Sequence, residues 1–136
     1  MLLIHPNPEG ALALEELCRI ISRACYKEDY KLFPKLACKA VVVNKMEEES
    51  KGNSIFDEVD ILITTPEVLH GSTCSENQLA QVRFLGVDAC ELVGSSQVSQ
   101  ITATMRGMSQ EGQKVIVGQC LPTGVLFEEF ARNDEI

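Results

Sequence analysis

The chain has 136 residues, of which 45% are hydrophobic and 24% charged, and its net charge is −8. That length suits one domain with a real core and is too short for two ordinary ones. The acidic balance excludes strong non-specific nucleic-acid binding by the chain alone, and the longest uncharged run is far short of a membrane span.

Tryptophan is absent and aromatic residues make up 5%, so the core is aliphatic. The N-terminus, MLLIHPNPEG, has no basic region before its short apolar run and does not read as a signal peptide. Six cysteines without a secretory leader point to free thiols in a reducing compartment, cytoplasmic or nuclear. No C-x-x-C pair occurs, and His5 and His70 stand apart, so no structural zinc is expected. The acidic runs at 47–49 and 128–129 read as solvated surface.

Residues 2–5 (LLIH) form a first apolar run, stopped by Pro6 and Pro8. From Glu9 to Tyr26 the apolar residues Leu12, Leu14, Leu17, Ile20, Ile21 and Ala24 recur at helical spacing. Cys18 and Cys25 share one face of that helix and read as small buried hydrophobes. AVVV (40–43) is a second strand, followed by a polar loop, MEEESKGNS. DILIT (60–64) is a third strand, and Ser75 to Gln81 a short helix with Ser75 as its cap and Gln78 three residues on. RFLGV (83–87), QITAT (100–104) and KVIVG (114–118) complete six strands. Continuously apolar strands separated by helical segments imply β-α-β units, hence an open, mostly parallel α/β sheet with flanking helices.

Ligands of such sheets sit beyond the carboxyl ends of the strands. The residues there are His5-Pro6-Asn7-Pro8-Glu9, Asn44-Lys45, Thr64-Thr65-Pro66-Glu67, Asp88-Ala89-Cys90-Glu91 and Thr102-Ala103-Thr104-Met105. Their order resembles the first RecA-like domain of a DEAD-box RNA helicase. HPNPEG stands for the Pro-Thr-Arg-Glu-Leu element of that family, with Pro6 and Glu9 kept in kind. DILITTPEVL stands for Thr-Pro-Gly-Arg-Leu, matching at Thr65, Pro66 and Leu69. RFLGVDACELV stands for Asp-Glu-Ala-Asp, matching at Asp88, with Glu91 in place of the last acid. ITATM stands for Ser-Ala-Thr-Met, with Thr102 for serine.

The resemblance covers most of residues 2–118 and implies a partial RecA-like domain over 1–120, with 121–136 a tail or linker. It implies an RNA-facing set of Pro6, Thr65, Pro66 and Arg106, and a coupling element of Thr102, Ala103 and Thr104. Asp88 and Glu91 would be the remnant of a metal and nucleotide site. Thr65 is expected to cap a helix, Pro66 to be its first residue and Glu67 a first-turn acid. Glu67 and Val68 stand where the family carries an arginine.

Three departures matter. No G-x-x-x-x-G-K-[ST] sequence occurs; Gly107 to Lys114 has the glycine spacing but inserts Gln113 and runs into a strand pattern. Ala89 occupies the place of the glutamate that orients the attacking water, and a methyl group cannot do so. The stretch from Asp88 to Thr102 is too short for the helix that normally separates those two strands, so the exposed sheet surface is expected to be covered by a partner. Asp88 and Glu91 would raise the pKa of the Cys90 thiol, which argues against a nucleophile there.

The expectation is therefore a helicase-like domain without ATP turnover of its own. It would bind single-stranded RNA weakly, or protein, in a ribonucleoprotein assembly. No cofactor is expected for this chain; ATP and magnesium enter only if a longer parent supplies the phosphate loop. The alternatives are a fragment of an ATP-dependent RNA helicase and an unrelated small α/β nucleotide-binding protein. No convergent acid, base and nucleophile set supports the last, and no membrane association is expected.

Overall fold

In a computed structural model of the chain, β1 (Leu2–Ile4) lies at the centre of a sheet and pairs in parallel on both sides. Its partners are β3 (Ile61–Thr64) and β4 (Phe84–Val87), in the registers Leu2↔Leu62 and Leu2↔Leu85. β2 (Cys38–Val41) extends the sheet beyond β3, and β5 (Gln113–Ile116) extends it beyond β4. The order is β2-β3-β1-β4-β5, all parallel. The structure describes residues 1–28, 36–42, 55–71 and 76–120, with Gly124 and Glu128.

Strand residues alternate between two faces. Leu2, Ile4, Leu62, Leu85 and Val87 point to one face, where Ile101, Met105 and Met108 cover them. Ile61 and Ile63 point to the other with Leu3, and meet Ala11, Leu14 and Cys18 of α1 (Pro8–Glu28). Thus the three central strands are apolar on both sides. That is why their sequences run continuously hydrophobic.

α1 follows β1 and covers one face over β2 and β3. Further helices are α2 (Ile55–Glu58), α3 (Pro66–Gly71), α4 (Glu76–Ala80) and α5 (Ser95–Gly107). α3 and α5 lie on the opposite face, through Leu69, Ile101 and Met105. Adjacent strands whose helices leave on opposite faces open a crevice at their carboxyl ends, and here that point is the end of β1.

Three expectations are corrected. Residues 100–104, read as a strand, are the middle of α5, so the sheet has five strands instead of six. The connection after Asp88 is not helix-free: a 3-10 turn (Cys90–Leu92) leads through Gly94 directly into α5. Val98, Ile101, Thr102 and Met105 sit at helical spacing and bury against the sheet, and that burial overrides the strand propensity of QITAT. The face expected to lack its helix is therefore covered. Apolar surface remains on the other face of the β5 edge, where Val115 and Val117 are 40% and 54% exposed.

Two boundaries shift by a residue or two, to 38–41 for β2 and 113–116 for β5. The turn around Gly112 feeds β5 and no helix, as expected for a false phosphate loop. The expected Ser75 cap, the loop after β2 with Lys45 and the acidic run, and nearly all of 121–136 lie outside the described residues.

A candidate site at the strand ends

The segment after β1 is built by its two prolines and the asparagine between them. Asn7 accepts from Gly10 N through Oδ1 at 2.8 Å and so caps α1. Pro8 is the first helical residue, where a missing N–H costs nothing, and Glu9 is the first-turn acid. His5 turns inward and is only 7% exposed. Its Nδ1 lies 3.1 Å from both the N–H and the carbonyl oxygen of Asn7. Nε2 faces Asp88 Oδ2 at 3.9 Å, a contact too long for a hydrogen bond.

The segment after β3 follows the same logic. Thr65 Oγ1 accepts from Val68 N at 3.4 Å, Pro66 opens α3 and Glu67 is in its first turn, as the sequence leads one to expect. Thr64 is buried and donates through Oγ1 to Val41 O at 2.8 Å, which ties β3 to its neighbour β2.

Beyond β4, Asp88 is 40% exposed, and its Oδ1 accepts from Ala89 N at 2.8 Å. Ala89 adopts φ 49°, ψ 48°, a left-handed conformation that a residue with a Cβ rarely takes. The turn presses Cys90 into the interior. Burial first, then the Glu91 carboxylate, pushes the Cys90 thiol up, in the direction expected from its acidic neighbours. Glu91 Oε2 accepts from Gln119 N at 3.1 Å, so Glu91 holds the exit of β5.

Gln97 joins these loops and was missed from sequence. Its Nε2 donates to Pro6 O at 2.8 Å and to Glu67 Oε1 at 2.6 Å, while its Oε1 accepts from Gly94 N at 3.0 Å. One side chain thus ties the β1 loop, the α3 start and the α5 start together. The signal was present: Gln three residues after a small residue is half of a capping box. The strand reading of 100–104 hid it.

Pro6, Thr65, Pro66, Asp88 and Glu91 therefore gather at one end of the sheet. The remaining calls do not. Arg106 lies in the last turn of α5, roughly 14 Å along the helix from Gln97, towards the opposite end of the strands. Thr102, Ala103 and Thr104 are mid-helix and not at a strand end. Thr104 Oγ1 donates to Gln100 O at 3.0 Å, Ala103 is exposed, and the buried Thr102 Oγ1 finds no partner among the described residues. The segment that does follow the last strand is Val117-Gly118-Gln119-Cys120.

The four described strand-end loops hold Glu9, Glu67, Asp88 and Glu91, and no lysine or arginine. A magnesium–nucleotide pair does not fit this set. One Asp88 oxygen is engaged by Ala89 N, the other faces His5, and no third metal-ligating side chain joins them among the described residues.

No protein-family model and no curated relative matches the chain in sequence. Solved structures match in fold. One holds a variant of the DEAD-box helicase Dbp5 from S. cerevisiae bound to a Gle1 variant and IP6, with TM-score 0.61 and 12% identity over 98% of this chain and 31% of that one. A second holds the Dbp5 variant with Nup159, the Gle1 variant, IP6 and ADP, with TM-score 0.56 and 14% identity over 98% of this chain and 33% of that one. The chain thus spans about a third of the chains it resembles. At such identity the likeness is one of fold: a partial RecA-like α/β domain.

Proposed function

We propose that this chain is a helicase-like RecA domain that turns over no ATP of its own and serves a ribonucleoprotein assembly by binding protein through its strand-end face. The observation that carries this reading is the charge of that face: Glu9, Glu67, Asp88 and Glu91 with no lysine or arginine in the described loops. Phosphate binding needs cations, and acids repel it, so the same face suits a lysine- or arginine-bearing segment of a partner. Ala89 at the water-orienting position and the missing phosphate loop support the loss of turnover. The Dbp5 structures, which hold the protein partners Gle1 and Nup159, give the reading a precedent on this fold.

The test sets two probes side by side. A fluorescence titration with a short lysine- and arginine-rich peptide should saturate. A short single-stranded RNA should bind no better than the non-specific range of roughly 10⁻⁴ to 10⁻⁶ M. Glu67→Arg should weaken the peptide and tighten the RNA. RNA-stimulated phosphate release that Asp88→Asn abolishes would overturn the loss of turnover. Tight RNA binding that Glu67→Arg does not change would move the interface to nucleic acid.

A further inference from the structure

Two cysteines meet where β4 and β5 end. Cys90 sits buried in the turn after β4, and its Sγ–H donates to the main-chain oxygen of Cys120 at 3.2 Å. Its own N–H donates to Val117 O at 3.0 Å, so the exit of β5 is held against this turn on both sides of Gly118. A Cβ on Gly118 would lie 2.4 Å from Cys90 Sγ; glycine lets the sulfur rest on that backbone. Standard bond lengths then put the Cys120 Cα no more than about 6 Å from Cys90 Sγ and about 8 Å from Cys90 Cα, a range that includes the roughly 4.4–6.8 Å Cα separation of a disulfide. Cys120 is exposed and both thiols are free.

We propose that Cys120 and Cys90 are a peroxide-sensitive pair, in which the exposed Cys120 is oxidised first and the buried Cys90 resolves it as a Cys90–Cys120 disulfide. In the first step the Cys120 sulfur attacks hydrogen peroxide. An S–O bond forms, the O–O bond breaks, and the second oxygen leaves as water with the thiol proton. In the next step Cys90 Sγ attacks the Cys120 sulfenic acid. The S–S bond forms, the S–O bond breaks, and the hydroxyl leaves as a second water with the Cys90 proton. Each thiol gives up one electron and the peroxide takes two. Burial and the Glu91 carboxylate hold Cys90 in its protonated form, which keeps it from meeting the peroxide first; its attack on the sulfenic acid rests on proximity to Cys120, with the proton released as the S–S bond forms. The bond would fix the exit of β5 covalently to the turn that carries Ala89 and Glu91, two residues of the strand-end face.

Trypsin separates the pair cleanly. Cys90 is the only cysteine of peptide 84–106 and Cys120 the only one of peptide 115–132. The folded chain is treated with a small excess of hydrogen peroxide, blocked with iodoacetamide under denaturing conditions and digested without reductant. The expected product is peptide 84–106 joined to 115–132, about 2 Da lighter than the sum of the two, and absent after dithiothreitol. Cys120→Ser, a change at an exposed position, should leave Cys90 as a free, alkylated thiol after the same treatment. The proposal is overturned if Cys120 stays a free thiol, advances to sulfinic acid, or pairs with a different cysteine. Oxidation of Cys90 in the Cys120→Ser variant would overturn the order of the two steps.

Discussion

The imidazole of His5 lies where a side chain on Gly10 would have to go. A Cβ there would fall 2.0 Å from the ring, well inside van der Waals contact distance of three ring atoms. Glycine in a helix normally costs about 1 kcal/mol relative to alanine, so Gly10→Ala would stabilise α1 if nothing stood in the way. Here the clash wins, because the ring is buried and is held by Asn7 on one side and faces Asp88 on the other. Gly10→Ala should lower stability by about 1–3 kcal/mol in a urea melt. His5→Ala in the same chain should recover most of that loss, and strict additivity of the two changes would refute the contact. Thr102 makes the opposite case. Its hydroxyl is buried in α5 without a partner among the described residues, so Thr102→Val keeps the shape and removes a desolvated polar atom. The melting temperature should hold or rise. A clear fall would mean that the hydroxyl has a partner, such as a buried water.

Two helices start with the same chemistry at different strengths. Asn7 caps the 21-residue α1 with a 2.8 Å bond, and Thr65 caps the six-residue α3 with one of 3.4 Å. Loss of a cap costs about 1 kcal/mol. Asn7→Ala should therefore shift the denaturation midpoint further than Thr65→Ala, and equal shifts would contradict the geometry. The start of α3 was read from the sequence, because proline after a capping side chain has only one good place in a helix; the same pattern at Asn7-Pro8 was read only as a stop to the first strand. α5 was missed. Over QITAT apolar residues alternate with polar ones and three of the five are β-branched, and a five-residue window of that kind reads as a strand. A longer window shows Val98, Ile101, Thr102 and Met105 on one helical stripe. The error displaced four candidate residues, Thr102, Ala103, Thr104 and Arg106, from the site and left Gln97, the tie between the loops, unnoticed.

At the scale of the whole domain, stability rests on the two-faced sheet. Leu62 lies at 2% exposure in the larger core, and Ile61 and Ile63 lie in the smaller core under α1. Leu62→Ala should cost about 2–5 kcal/mol. Against a total of roughly 5–15 kcal/mol for a native domain, that is enough to populate the unfolded state at moderate temperature. An unchanged melting temperature would place Leu62 outside the core. Amides of β1 and β3 should also exchange most slowly, since β1 is paired on both sides. The chain by itself determined the α/β class, the parallel central strands, the capped start of α3 and the clustering of Pro6, Thr65, Pro66, Asp88 and Glu91 at one end. These follow from local physics: apolar runs, proline geometry and side-chain caps act within a few residues. Only the tertiary structure decided that 100–104 is helix, that Arg106 lies away from the strand ends, and that Gln97 and the Cys90–Cys120 contact join distant segments. Those outcomes depend on which faces the sheet buries and which backbone groups it leaves to be satisfied, and neither is written in any short stretch of the chain.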